Sequence, residues 1–316
     1  MQNFQSLPSP TNTEPPNKKF PVFYARRGGQ FYTWTCIATQ LLAVAMVLLA
    51  ELFVQWLPED VQNTVLTYCN FSTQLILVGC VLFFFQKFKT GPVEAGWRKV
   101  APLPCLMGIL LGVGTVFAIA PVSALFDWFL SLFGYEVTSV IEDIPLDGGL
   151  VFLALFLIAV LPAVFEEFIF RGIILESTKK MGTLQACLLN GLLFSLFHCN
   201  PSQTGYTFLL GAVFALIAIR CNSIIPTVIV HFLNNAYSVL MTYFQVTEIP
   251  EDVAYVIIIL SLVCTIGGLI YFLDKNKSGN ERPSVHAAPV FKGAMVGLIF
   301  NGVLWLTVFI SGIFLM

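Results

Sequence analysis

Nine times along this chain an apolar run approaches or exceeds the length that crosses a bilayer. The runs fall at about 31–57, 66–86, 102–133, 148–178, 182–198, 205–220, 223–244, 252–273 and 290–315. A spanning helix needs about 20 predominantly apolar residues. Only 11% of the residues are charged and 57% are hydrophobic, against about 25% charged in a soluble protein. The chain therefore reads as an all-α, polytopic transmembrane helical bundle of about eight or nine spans. The third and fourth runs are long enough to be tilted, kinked or partly interfacial. Residues 1–30 are polar and Pro-rich and lack the pattern of a secretory signal. They are expected to form a mobile cytoplasmic tail, with residues 31–316 as one helical membrane domain.

The charges between the runs alternate in sign. Lys18, Lys19, Arg26 and Arg27 precede the first run, Lys87, Lys89, Arg98 and Lys99 follow the second, and Lys179 and Lys180 follow the fourth. Glu59 and Asp60, then Glu136, Glu142, Asp143 and Asp147, then Glu248, Glu251 and Asp252 occupy the intervening loops. By the positive-inside rule the N-terminus lies in the cytoplasm, and the cell membrane is the expected location. The net charge of −2 is uninformative, and no basic patch points to nucleic acid, which is not expected as a partner. The eight cysteines form no C-x-x-C pair, and most fall inside apolar runs as small buried side chains.

The fourth run breaks the apolar rule. Leu150 to Phe165 leads directly into Glu166 and Glu167, followed by Phe168, Ile169, Phe170 and Arg171. One carboxylate at the centre of a span costs about 2.5–3.5 kcal/mol on insertion scales, and such charges face a bundle interior or an aqueous cavity. Glu167 and Arg171 are four residues apart, on one helix face, and are expected to pair. Glu166 is rotated away and has no local partner. Of three histidines, His286 lies in a hydrophilic loop, whereas His198 and His231 are embedded in apolar runs. Asn234 and Asn235 follow His231 at i+3 and i+4, where either can share its face.

Two Glu and two His on separate helices suit water activation, with or without a metal. There is no H-E-x-x-H, so an ordinary zincin is excluded. Two other readings compete. One is a non-catalytic membrane scaffold, for immunity or sensor binding, that keeps the fold. The other is an ion-coupled transporter using Glu and His as a proton relay. No repeat relates the two halves, which speaks against the transporter.

Glu166-Glu167-x-x-x-Arg171, Phe194-x-x-x-His198 and His231-x-x-x-Asn235, in this order, resemble the motifs of the CPBP intramembrane proteases. That family includes the type II CAAX prenyl proteases and the bacteriocin-processing, abortive-infection-like proteins. His198-x-Asn200-Pro201, Phe208-x-x-Gly211 and Ser223-Ile224-Ile225-Pro226 extend the likeness, which covers about residues 148–244. The resemblance implies an endopeptidase cutting a membrane-embedded or lipidated peptide within the lipid bilayer. It implies Glu166 as the base that activates water, Glu167 or Arg171 as its orienter, and His198 as the residue that holds the water or a metal. It further implies His231 and Asn235 as stabilisers of the oxyanion. Two chemistries stay open: Zn²⁺ or another divalent ion held by Glu166, His198 and His231, or a site without metal.

Overall fold

A computed structural model describes residues 23–136, 144–246, 249–274 and 286–314. Most of the expected tail lies outside the described residues, as do the loop charges Glu142, Asp143 and Glu248. Among the described residues there is no strand. The helices are α1 (Ala25–Val54), α2 (Glu59–Phe71), α3 (Gln74–Phe88), α4 (Pro102–Ala118) and α5 (Ala120–Ser131). They continue with α6 (Leu150–Met181), α7 (Thr183–Phe197), α8 (Pro201–Cys221), α9 (Ile225–Tyr243), α10 (Glu251–Asp274) and α11 (Ala288–Phe314).

All nine apolar runs are helical, and seven helical stretches are long and apolar enough to cross a membrane. The chain is a multi-pass membrane protein. The two remaining runs are α7 and α9. At 1.5 Å per residue the 15 residues of α7 reach only about 22 Å, less than the roughly 30 Å of hydrocarbon. The 19 residues of α9 carry His231, Asn234 and Asn235 among their apolar neighbours. The two helices that depart from an ordinary span are thus the ones that deliver His198 and His231.

Proline explains the irregularity of both long runs. Pro121 ends α4 at Ala118 and starts α5 after a one-residue break, since it lacks an N–H and crowds the carbonyl four residues earlier. In α6, Pro162 follows a wide π-helical turn at Leu155–Val160, and a second such turn occupies Phe168–Ile174. Wide turns of this kind concentrate at functional sites. Between them lies the short α-helical segment Leu161–Glu167, which carries both glutamates.

Small residues let the helices approach backbone to backbone, as membrane bundles require. A Cβ on Gly29 of α1 would collide with the Val290 carbonyl of α11. Thr33 Oγ1 then donates to the Gly293 carbonyl at 2.9 Å. Gly191 and Gly211 meet where α7 crosses α8. A Cβ on Gly211 would lie 2.9 Å from the Gly191 Cα and 3.1 Å from Phe194 Cδ1. This crossing sets the position of Phe194 and of His198 one turn later.

Candidate active site

The loops that place the histidines are built from local hydrogen bonds. His198 ends α7. Cys199 then takes a left-handed conformation (φ 49°), which turns the chain sharply. Asn200 caps α8, its Oδ1 accepting from the Ser202 N–H at 3.0 Å, and Pro201 takes the first helical turn, where no N–H is needed. Ser223 performs the corresponding task before α9: its Oγ donates to the Arg98 carbonyl at 2.6 Å and accepts from the Ile225 N–H at 3.2 Å. Pro226 then opens the helix that carries His231. His-x-Asn-Pro and Ser-x-x-Pro are therefore helix-start devices that fix the two imidazoles in space.

Glu166, Glu167, Arg171 and His231 come together in the bundle interior. Glu167 and Arg171 are fully buried, and Arg171 Nη1 donates to Glu167 Oε1 at 2.8 Å. The guanidinium also donates to the Gly211 carbonyl at 3.3 Å and lies 4.2 Å from the centre of the Phe194 ring, a favourable cation–π placement. The same Glu167 oxygen takes a hydrogen bond from His231 Nδ1 at 3.0 Å. Glu167 thus joins Arg171 to His231. Glu166 faces the other way, into a cavity of about 230 Å³ that His198, His231, Asn234 and Asn235 also line. Its Oε2 is buried without a hydrogen-bond partner among the described residues and lies 3.9 Å from His231 Nε2. That gap is too long for a direct bond and short enough for one bridging water.

The partners of the two rings assign their tautomers. His198 Nδ1 lies 2.8 Å from the Phe194 carbonyl, which can only accept, so Nδ1 carries the proton. His231 Nδ1 donates to the Glu167 carboxylate for the same reason. With Nδ1 so engaged, the other ring nitrogen, Nε2, is the one left to face the cavity. His286, by contrast, is exposed.

Asn235 lines the cavity but has a second attachment. Its Nδ2 donates to the Ile158 carbonyl at 2.9 Å. That carbonyl lies four residues before Pro162, which has no N–H to give it. Asn235 supplies the missing donor, and its own Oδ1 accepts from Asn234 Nδ2 at 3.0 Å. A double-mutant cycle tests this linkage. Asn235→Ala should cost about 1 kcal/mol of stability, as expected for a stranded acceptor. In a Pro162→Ala background, where the helical donor returns, the same change should cost clearly less. Equal costs in both backgrounds, by thermal unfolding in detergent, would refute the linkage.

No three His, Cys, Asp or Glu side chains among the described residues stand in an arrangement that could hold a metal ion. As arranged, Glu166, His198 and His231 do not form a ready three-ligand set.

Residues 148–237 match the family model described as Type II CAAX prenyl endopeptidase Rce1-like. The match contains all three motifs and so bears out the likeness to the CPBP proteases over that segment. Searches of curated proteins and of solved structures each return no match. Over that segment the chain is similar to this endopeptidase family.

Proposed function

We propose that this protein is an intramembrane endopeptidase in which Glu166 activates water to hydrolyse a membrane-embedded or lipidated peptide. The observation that carries the reading is the unpaired Glu166 Oε2, buried at the wall of a cavity that both embedded histidines also line. A buried carboxylate oxygen without a partner is costly, and a general base has to keep such an oxygen available to the water it deprotonates.

The geometry supports the following roles. Glu166 takes one proton from the water as its oxygen bonds to the peptide carbonyl carbon. The neutral His198 accepts a hydrogen bond from the other water hydrogen at Nε2 and orients the attack. The carbonyl electron pair moves onto oxygen. Glu166 then returns its proton to the departing nitrogen as the C–N bond breaks, giving an acid and an amine. His231, held at Nδ1 by the Glu167 carboxylate, presents Nε2 to the cavity on the oxyanion's side of the site. Asn235 keeps one N–H beyond the one given to Ile158. By the asymmetry of loop charges we place the N-terminus in the cytoplasm.

The test uses purified protein in liposomes with quenched fluorescent peptides: one bearing a C-terminal farnesyl group, its unlipidated counterpart, and one single-span peptide. Wild type should cleave at least one at a single internal bond identified by mass spectrometry. Cleavage of none of them would overturn the reading.

One feature supports a metal variant of this chemistry. Both histidines have Nδ1 tied to an acceptor and Nε2 directed to the site, an arrangement common in metal-ligating histidines. On the metal-free reading, His231→Ala lowers activity and leaves metal content unchanged. Stoichiometric zinc in wild type that disappears in His231→Ala, by elemental analysis, would instead establish a metalloprotease.

A further inference from the structure

A second cavity of about 230 Å³ adjoins the first, on the side of α1 and α3, lined by Thr39, Gln40, Thr73, Leu77 and Phe197 among others. Three residues line both chambers: Glu166, His198 and Gln74. Two of them are the groups assigned above to the attacking water. The third opens α3 directly after the two-residue break from α2.

Gln74 Oε1 is buried and has no hydrogen-bond partner among the described residues. A buried amide oxygen left in that state costs stability comparable to a lost hydrogen bond. A side-chain amide offers an acceptor and two donors in one plane, the complement of a peptide group, with its one N–H and one C=O. Anything that extends from one chamber into the other passes the Glu166–His198 pair and Gln74 together. An extended peptide advances about 3.3 Å per residue, so a chain crossing this junction would place the residues before and after the reacting carbonyl in different chambers.

We infer that Gln74 binds the backbone of the substrate beside the bond that is cut, and that the peptide runs through the junction with one side in each chamber. The substrate is then an internal segment of a longer chain rather than a terminal residue seated in a closed pocket. The inference rests on the protease reading and adds the substrate's path and a contact that none of the three motifs contains.

The experiment takes whichever of the quenched peptides wild type cleaves. Gln74→Met keeps length and removes the amide; Gln74→Asn keeps the amide and shortens its reach. A contact made equally to substrate and transition state raises KM and leaves kcat nearly unchanged. Gln74→Met should raise KM about tenfold, the loss of one well-made hydrogen bond, with kcat within about twofold and the unfolding temperature equal to or above wild type. Gln74→Asn should lie between Met and wild type. Binding of the same peptide to the Glu166→Gln protein in nanodiscs, read by fluorescence anisotropy, should weaken about tenfold when Gln74→Met is added. Replacing the peptide's amide next to the scissile bond by an ester should weaken binding to protein with Gln74 and make little difference to protein with Met there. If Gln74→Met binds and cleaves with wild-type constants, or the ester weakens both proteins equally, this inference fails and the protease reading stands. If wild type cleaves none of the peptides, both fail.

Discussion

Glu166→Gln should abolish peptide hydrolysis while the protein remains folded. Gln has the same shape as Glu and carries no charge, so the cost of holding a carboxylate at that depth disappears. What is lost is the basic oxygen. Glu166 Oε2 has no hydrogen-bond partner among the described residues, so the substitution breaks no described bond at that atom. Removing a positioned acid–base group lowers rate by on the order of 10²–10⁴. The fall should appear in kcat on the quenched peptides, with thermal unfolding equal to or slightly above wild type. Turnover near the wild-type rate in this variant would remove Glu166 from the role of base.

The largest stability effect should come from Arg171→Ala. Glu167 and Arg171 are both fully buried, and removing one partner of such a pair strands the other charge, at a cost of about 3–5 kcal/mol. The contact with the Phe194 ring and the bond to the Gly211 carbonyl go with it. The double variant Glu167→Gln, Arg171→Leu should recover most of the stability, because replacing both charges by neutral groups of similar size is often close to neutral. It should not recover activity, since His231 Nδ1 loses its carboxylate partner. Thermal unfolding in detergent checks both arms. An Arg171→Ala protein within about 0.5 kcal/mol of wild type, the range of an ordinary surface substitution, would mean that the pair is not what holds α6 in place.

Local patterns were readable in the sequence; contacts between distant segments were not. The spans are legible because about 20 consecutive apolar residues have few other uses. The Glu167–Arg171 bond is legible because i and i+4 share a helix face. The start of α1 at Ala25 is less so: Arg26, Arg27, Gly28 and Gly29 look like tail, yet Gly29 is where the helix meets Val290, far along the chain. His231 followed four residues later by Asn235 suggests two donors for one oxyanion. The structure gives each residue a prior attachment, Glu167 for His231 and the Ile158 carbonyl for Asn235. The signal for the second was present in Pro162, whose missing N–H frees a carbonyl four residues earlier. Gln74 had no local signal. One glutamine at the start of an apolar run is unremarkable until α1, α6 and α7 close around it.

The charged turn of α6 also bears on how this protein is made. Arg171 bonds to a carbonyl 40 residues later in the chain, and Glu167 to a ring 64 residues later. A ribosome at the end of α6 has therefore delivered a segment whose charges can pair only with each other. The segment stays incompletely satisfied until α8 and then α9 emerge. The polar contacts of this turn are therefore complete only once residues 150–243 are all present. A chain that stops between Gly211 and His231 leaves the buried Glu167 carboxylate without its imidazole partner.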